Sequence, residues 1–190
     1  MSGKNKSPEV IIMMSNARTR TPIFKTVLIG EGGVGKTSIA LRYTEDRFDE
    51  HMMLTVGANF ATKRLEINGS ALTLMIWDVG GQPRFRDVVG DYFKGSKFAI
   101  AVFDVTRTYT LERLTDWVDR LKETAPDSAL LIVGNKTDER TNGSGVRPEE
   151  GMSFARRYGA QYVEVSARTG EGISDMFGIV ARSLMKTKGA

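Results

Sequence analysis

Between an apolar run at residues 24–29 and a helical pattern at 39–43 lies Gly30-Glu31-Gly32-Gly33-Val34-Gly35-Lys36-Thr37. This stretch restricts the possible folds more than any other part of the chain. Strand, glycine loop and helix, in that order, form the setting of the phosphate-binding loop G-x-x-x-x-G-K-[ST]. A loop that wraps a polyphosphate must bring backbone N–H groups close to oxygens, and side chains would block that approach. Gly32, Gly33 and Gly35 leave room and reach positive φ. The helix that follows points its positive dipole end at the anion. Lys36 adds a point charge and the Thr37 hydroxyl a ligand for Mg²⁺. The expected phosphate-binding set is Gly32, Gly33, Val34, Gly35, Lys36, Thr37 and Ser38.

The rest of the chain alternates strand and helix patterns. Residues 98–105 and 129–133 are continuous apolar runs, as expected of strands covered on both faces. Residues 59–67 and 71–77 flank Asn68-Gly69, a hairpin turn signal. Leu111, Leu114, Val118 and Leu121 mark one face of a helix, and Pro148 suits the first turn of another. Residues 162–165 read as the last strand, and Ile173, Met176, Phe177, Val180 and Leu184 as the buried stripe of a final helix. This order predicts an α/β fold of the P-loop NTPase type, a six-stranded, mostly parallel sheet with helices on both faces.

Two further motifs end on strands, where ligands of open α/β sheets bind. In Asp78-Val79-Gly80-Gly81-Gln82, Asp78 can hold Mg²⁺ through water, Gly81 can turn its N–H toward a terminal phosphate, and Gln82 can orient an attacking water. In Asn135-Lys136-Thr137-Asp138 the carboxylate selects guanine, because a bidentate acceptor matches the N1–H and 2-amino donors that adenine does not present. The Lys136 stem can lie over the base, and Asn135 can tie this loop to the glycine loop. Ser166-Ala167-Arg168, at another strand end, can offer backbone donors to guanine O6.

Taken in order on these elements, the motifs resemble those of small GTPases of the Ras superfamily, most of all the Rab branch, over residues 24–186. The resemblance implies a GTP-binding switch with slow intrinsic hydrolysis, using GTP/GDP and Mg²⁺, and served by effectors, exchange factors and GTPase-activating proteins. It implies Phe48 as the aromatic beside guanine and Thr55 as the switch I ligand of Mg²⁺. It also implies Phe60, Trp77 and Tyr92 as the aromatic triad facing effectors. Phe103-Asp104-Val105-Thr106 and Trp117 are Rab-like too. The Asp-Val-Gly-Gly-Gln segment is instead similar to Arf and heterotrimeric α-subunits, and Pro83 stands where Rabs carry glutamate. Arg168 replaces the common lysine, and Met52 stands where many relatives carry a tyrosine over the nucleotide, or α-subunits an arginine. Pro83 restricts Gln82 to extended conformations, so a module that holds GTP with negligible hydrolysis is the alternative expectation.

The chain contains no cysteine, so no disulfide, cysteine metal site or cysteine-linked lipid is expected; Ser2 after Met1 argues against myristoylation, and no lipid anchor is expected. The single histidine, His51, reads as a solvated loop residue. Residues 1–26 carry Lys4, Lys6, Arg18, Arg20 and Lys25 against Glu9 alone, an excess equal to the whole chain's net charge of +4. The remainder is balanced and offers no nucleic-acid face. Residues 1–21 are expected to be a disordered basic tail and 22–190 one GTPase domain, monomeric and cytoplasmic. The apolar cluster at 10–14 beside those cations allows at most weak membrane contact.

Overall fold

Every residue from Phe98 to Asp104 is buried, as a strand covered on both faces must be. The computed structural model describes residues 21–188 apart from 68, 83–88 and 142, and only the backbone of 187 and 188. The tail at 1–20, Asn68 of the hairpin turn and Pro83 lie outside the described residues. In chain order the elements are β1 (Ile23–Ile29), α1 (Lys36–Glu45), β2 (Ala58–Ile67), β3 (Ser70–Val79), α2 (Val89–Phe93) and β4 (Phe98–Asp104). After them come α3 (Thr108–Glu112), α4 (Leu114–Thr124), β5 (Ala129–Asn135), α5 (Pro148–Arg157), β6 (Gln161–Glu164) and α6 (Ile173–Lys188).

The six strands form one sheet in the order β2-β3-β1-β4-β5-β6. Among the described residues only the β2–β3 pair is antiparallel, a hairpin whose register runs from Ala58↔Val79 to Ile67↔Ser70. The parallel strands β3, β1, β4, β5 and β6 present their carboxyl ends to one edge of the sheet.

Alternation along the strands splits the core in two. Leu28, Ile100, Val102, Leu131 and Val133 face α1 and α6, packing on Ile39, Met176, Phe177 and Val180. Val27, Ile29, Ala99, Ala101 and Phe103 face the other side, under α2, α4 and α5 with Phe93, Trp117, Leu121 and Phe154. The expected fold is thus observed. The apolar stripe from Leu111 to Leu121 spans two helices, not one, with Arg113 as the joint.

Candidate guanine-nucleotide site

The glycine loop leaves β1 and enters α1 at Lys36, with Gly35 at φ +96° as the residue before the helix. Only glycine fits there. A Cβ would lie 2.2 Å from Asn135 Nδ2, and the backbone is left-handed. Lys36 is buried, and its ammonium donates to the carbonyls of Gly30 at 2.7 Å and Glu31 at 2.8 Å. Burial pushes its pKa down to about 8, against the opposing pull of Asp78 and Glu31. A buried ammonium held at the glycine loop by backbone carbonyls is suited to phosphate oxygens.

Beside it, three predicted metal-binding side chains converge. Thr37 Oγ1 donates to Asp78 Oδ2 at 2.6 Å, Thr55 Oγ1 donates to the same oxygen at 3.2 Å, and the two hydroxyls are 2.8 Å apart. Asp78 is 3% exposed, and its Oδ1 is buried with no hydrogen-bond partner among the described residues. Such an oxygen is costly to leave unmade. Two hydroxyls and a carboxylate form a hard-oxygen donor set suited to Mg²⁺ that keeps waters and phosphates as its other ligands. Among the described residues no three histidine, cysteine or acidic side chains gather to cage a metal by themselves.

Gly81 abuts the glycine loop so closely that a Cβ there would lie 2.5 Å from Gly32 N. Gln82 follows, with a long contact of 3.5 Å from Nε2 to the Thr55 carbonyl. Gly80 N–H donates to Gly57 O at 2.8 Å, so the segments around Thr55 and Gly81 are joined to each other as well as to the loop.

At the other end, Asn135 Nδ2 donates to Val34 O at 2.9 Å while its Oδ1 accepts from Ala167 N–H at 3.1 Å. One side chain thus locks the glycine loop to the 166–168 loop. Ser166 Oγ donates to Asp138 Oδ1 at 2.6 Å and accepts from Thr169 N–H at 3.0 Å, which fixes the carboxylate. The Ser166 N–H donates to Glu171 O. Two of the three backbone donors expected to face a base are therefore committed within the protein. Lys136 sits at φ +70° and reaches Asp104 at 2.8 Å.

Between the two ends lies a cleft of about 230 Å³. Gly32, Gly33, Gly35, Lys36, Thr37, Ser38, Phe48, Thr55, Gly81, Gln82, Asn135, Lys136, Asp138, Ala167 and Arg168 all line it. Val34, Asp78 and Ser166 stand behind the wall, all buried. Phe60, Trp77 and Tyr92 lie outside the cleft as a continuous aromatic row, with ring centres 6.0 Å and 6.2 Å apart. Phe60 is 69% exposed.

Three residues of the site escape motif reasoning. Arg107 donates from Nη2 to Gly33 O at 2.8 Å and from Nε to Asp104 at 2.9 Å. Arg42 holds the carbonyls of Ala167 and Arg168 at 3.0 Å and 2.8 Å. Glu50 pairs with Arg168 at 2.6 Å, and both residues line the cleft. The only sequence signal was Asp104 itself, in the strand-end Asp-Val-Thr segment.

A glycine loop with a buried lysine, a hard-oxygen donor set and the Asp138 carboxylate along the carboxyl edge of a parallel sheet fit a P-loop guanine-nucleotide-binding protein. Comparison with known proteins agrees. The Ras family model matches residues 25–186. Relatives include Ras-related protein Rab-18-B of Danio rerio, 37% identical over 87% of this chain and 80% of its own. Another is Ras-related protein Rab-18 of Lymnaea stagnalis, 38% identical over 87% and 82%. Ras-related protein SEC4 of Saccharomyces cerevisiae is 34% identical over 90% and 79%. The chain belongs to the Ras family. It is a small GTPase, a GTP-binding molecular switch that hydrolyses GTP, and the reading as a binding module without hydrolysis is not favoured.

Proposed function

We propose that GTP lies along the cleft with its phosphates on residues 32–38 and its guanine between Phe48, the Lys136 stem and Asp138. The observation that carries this is the convergence of Thr37, Thr55 and Asp78 beside the buried ammonium of Lys36. Magnesium bound there neutralises charge on the transferring phosphoryl group. Thr37 and Thr55 would hold it directly and Asp78 through water. Gly81 offers its N–H to the γ-phosphate, and Gln82 orients the attacking water. With the Ser166 and Ala167 amides already engaged, the Arg168 N–H falls to guanine O6.

The switch follows from Thr55. Among the described residues it is the side chain of the 48–57 segment that hydrogen-bonds Thr37 and Asp78, so losing the γ-phosphate removes its anchor and frees that segment and 78–93 together. Effectors read the result at Phe60, Trp77 and Tyr92, and exchange factors and activating proteins act on the same segments. The Asp-Val-Gly-Gly-Gln sequence gives an Arf-like switch II on a Rab-like body. The protein acts in the cytoplasm as a monomer, and its basic tail gives it weak contact with a membrane. Among the described residues no helix is long and apolar enough to cross a membrane.

Met52 lines the cleft where an intrinsic arginine would otherwise stand. Hydrolysis therefore awaits a partner's arginine, worth roughly 10³–10⁵ in rate. A single-turnover GTP assay tests this, with slow turnover expected alone and slower still in Gln82→Leu. Fast turnover by the purified protein, or an unchanged rate in the variant, contradicts the assignment of Gln82.

A further inference from the structure

At the edge of the sheet opposite the nucleotide cleft lies a second and larger groove, of about 490 Å³. Its floor is the first residues of three strands, Phe98 of β4, Ala129 of β5 and Gln161 of β6. Its walls carry three cations, Lys122 from α4 and Arg182 and Lys186 from α6, and no carboxylate lines it. No carboxylate among the described residues forms an ion pair with any of the three. Among the described residues Lys122 hydrogen-bonds only a neutral acceptor, Ser128 O at 3.3 Å. Tyr158, which also lines the groove, donates its hydroxyl to Asp119 at 3.2 Å.

We propose that this edge docks on an anionic bilayer, with a lipid phosphate seated among Lys122, Arg182 and Lys186. Three unopposed cations around a concave site call for an anion, and the concavity focuses their field. The choice of a bilayer over a soluble phosphate comes from where the chain attaches. β1 starts at Ile23 and α6 runs toward Lys188 on this same edge. The residues before β1 include Lys4, Lys6, Arg18 and Arg20 against Glu9 alone. A flat anionic surface engages the groove and that basic segment together, whereas a free phosphate engages the groove alone. Docking here leaves the nucleotide cleft, at the carboxyl edge of the sheet, facing away from the lipid. The proposal depends on none of the nucleotide chemistry.

Vesicle sedimentation tests it, using the full chain loaded with GDP. The vesicles are phosphatidylcholine alone, or phosphatidylcholine with about a quarter phosphatidylserine. Wild type should bind the anionic vesicles only, and more weakly as salt rises. At about five-fold per cation, the triple variant Lys122→Gln, Arg182→Gln, Lys186→Gln should bind up to roughly 100-fold more weakly. Its GDP retention should be unchanged, since these side chains lie far from the cleft. A second variant neutralises Lys4, Lys6, Arg18 and Arg20, and should keep the part of the binding that the groove supplies. If that variant loses all binding while the groove variant loses none, the groove has no role. Equal binding of wild type and groove variant overturns the proposal as well. So does calorimetric binding of inorganic phosphate in the groove by a protein that ignores anionic vesicles.

Discussion

Arg107 Nη2 donates to the carbonyl of Gly33 at 2.8 Å, across 74 residues of sequence. The same guanidinium grips Asp104 through Nε, and Asp104 in turn holds Lys136. A chain of contacts thus joins the glycine loop to the loop that carries Lys136 and Asp138. Arg107→Ala should loosen the first without touching the second. A hydrogen bond from a charged donor contributes about 1.5–3 kcal/mol, and with 33% of the side chain in water about 1 kcal/mol is expected to remain. GDP should leave roughly five-fold faster, with the preference for GDP over ADP intact, and Arg107→Lys should recover part of the loss. Release of a fluorescent GDP measures this, and an unaltered rate in Arg107→Ala would remove Arg107 from the site.

Asp104 also governs acid stability. It is 1% exposed. Burial alone would raise its carboxyl, but Lys136 at 2.8 Å and the Thr106 hydroxyl and N–H more than offset that and hold it below the usual range. Burial likewise raises Glu164 and is outweighed by Arg140 and Tyr162. A carboxylate depressed in the folded state stabilises it above the unfolded pKa of about 4, and that contribution disappears as pH falls through the folded value. The melting temperature should therefore drop steeply below about pH 4. Asp104→Asn should flatten that drop. At pH 7 it should lose stability near the lower end of the about 3–5 kcal/mol typical of a broken buried pair, since Lys136 and Arg107 are partly solvated. Melts of both proteins across the acid range decide it.

Which features were legible follows from how locally each is encoded. β4 and β5 stood out because strands buried on both faces need unbroken apolar runs, and β1 because the glycine loop follows it. The nucleotide motifs stood out because each occupies one short loop at a strand end. α2 was not read, since five residues are too few to show a helical period. The split between α3 and α4 was hidden because Arg113 at φ −71°, ψ −14° keeps the helical phase, so Leu111 and Leu114 stay in register. Arg42, Glu50 and Arg107 were invisible for another reason. Arg42 and Arg107 bind backbone carbonyls 125 and 74 residues away, and Glu50 pairs across 118 residues, so no sequence period or spacing marks them.

Nucleotide choice should rest on Asp138. Its Oδ1 already accepts from Ser166 at 2.6 Å, which orients the carboxylate toward the cleft it lines. Asp138→Asn places an amide donor against the guanine donors and should lose several kcal/mol for GTP while gaining xanthine nucleotides, whose 2-oxo group accepts. Ser166→Ala should weaken both nucleotides modestly, about 1 kcal/mol, without changing the preference. Competition between GTP and XTP on each variant measures this. Tight GTP binding by Asp138→Asn is the result that would rule the assignment out.

The aromatic row outside the cleft should be an interface. Phe60 pairs with Trp77 across the β2–β3 ladder, and Trp77 leads on to Tyr92. Trp77 is half-buried beneath the Lys25 ammonium, 4.3 Å from its ring centre, and serves as the base on which Phe60 stands. An emptied core phenylalanine site costs about 3–5 kcal/mol, but Phe60 is 69% exposed and has little burial to lose. Met53 and Leu54, 86% and 57% exposed, add apolar surface in the segment that holds Thr55, which should change with the nucleotide. Phe60→Ala should therefore leave the melting temperature and GTP affinity nearly unchanged. It should weaken a GTP-dependent partner by more than about 2 kcal/mol, as loss of a central aromatic anchor does. A pull-down on GTP-loaded protein and a thermal melt of the same variant separate the outcomes. A large melting shift with normal partner capture would place Phe60 in the core and leave the surface without its anchor.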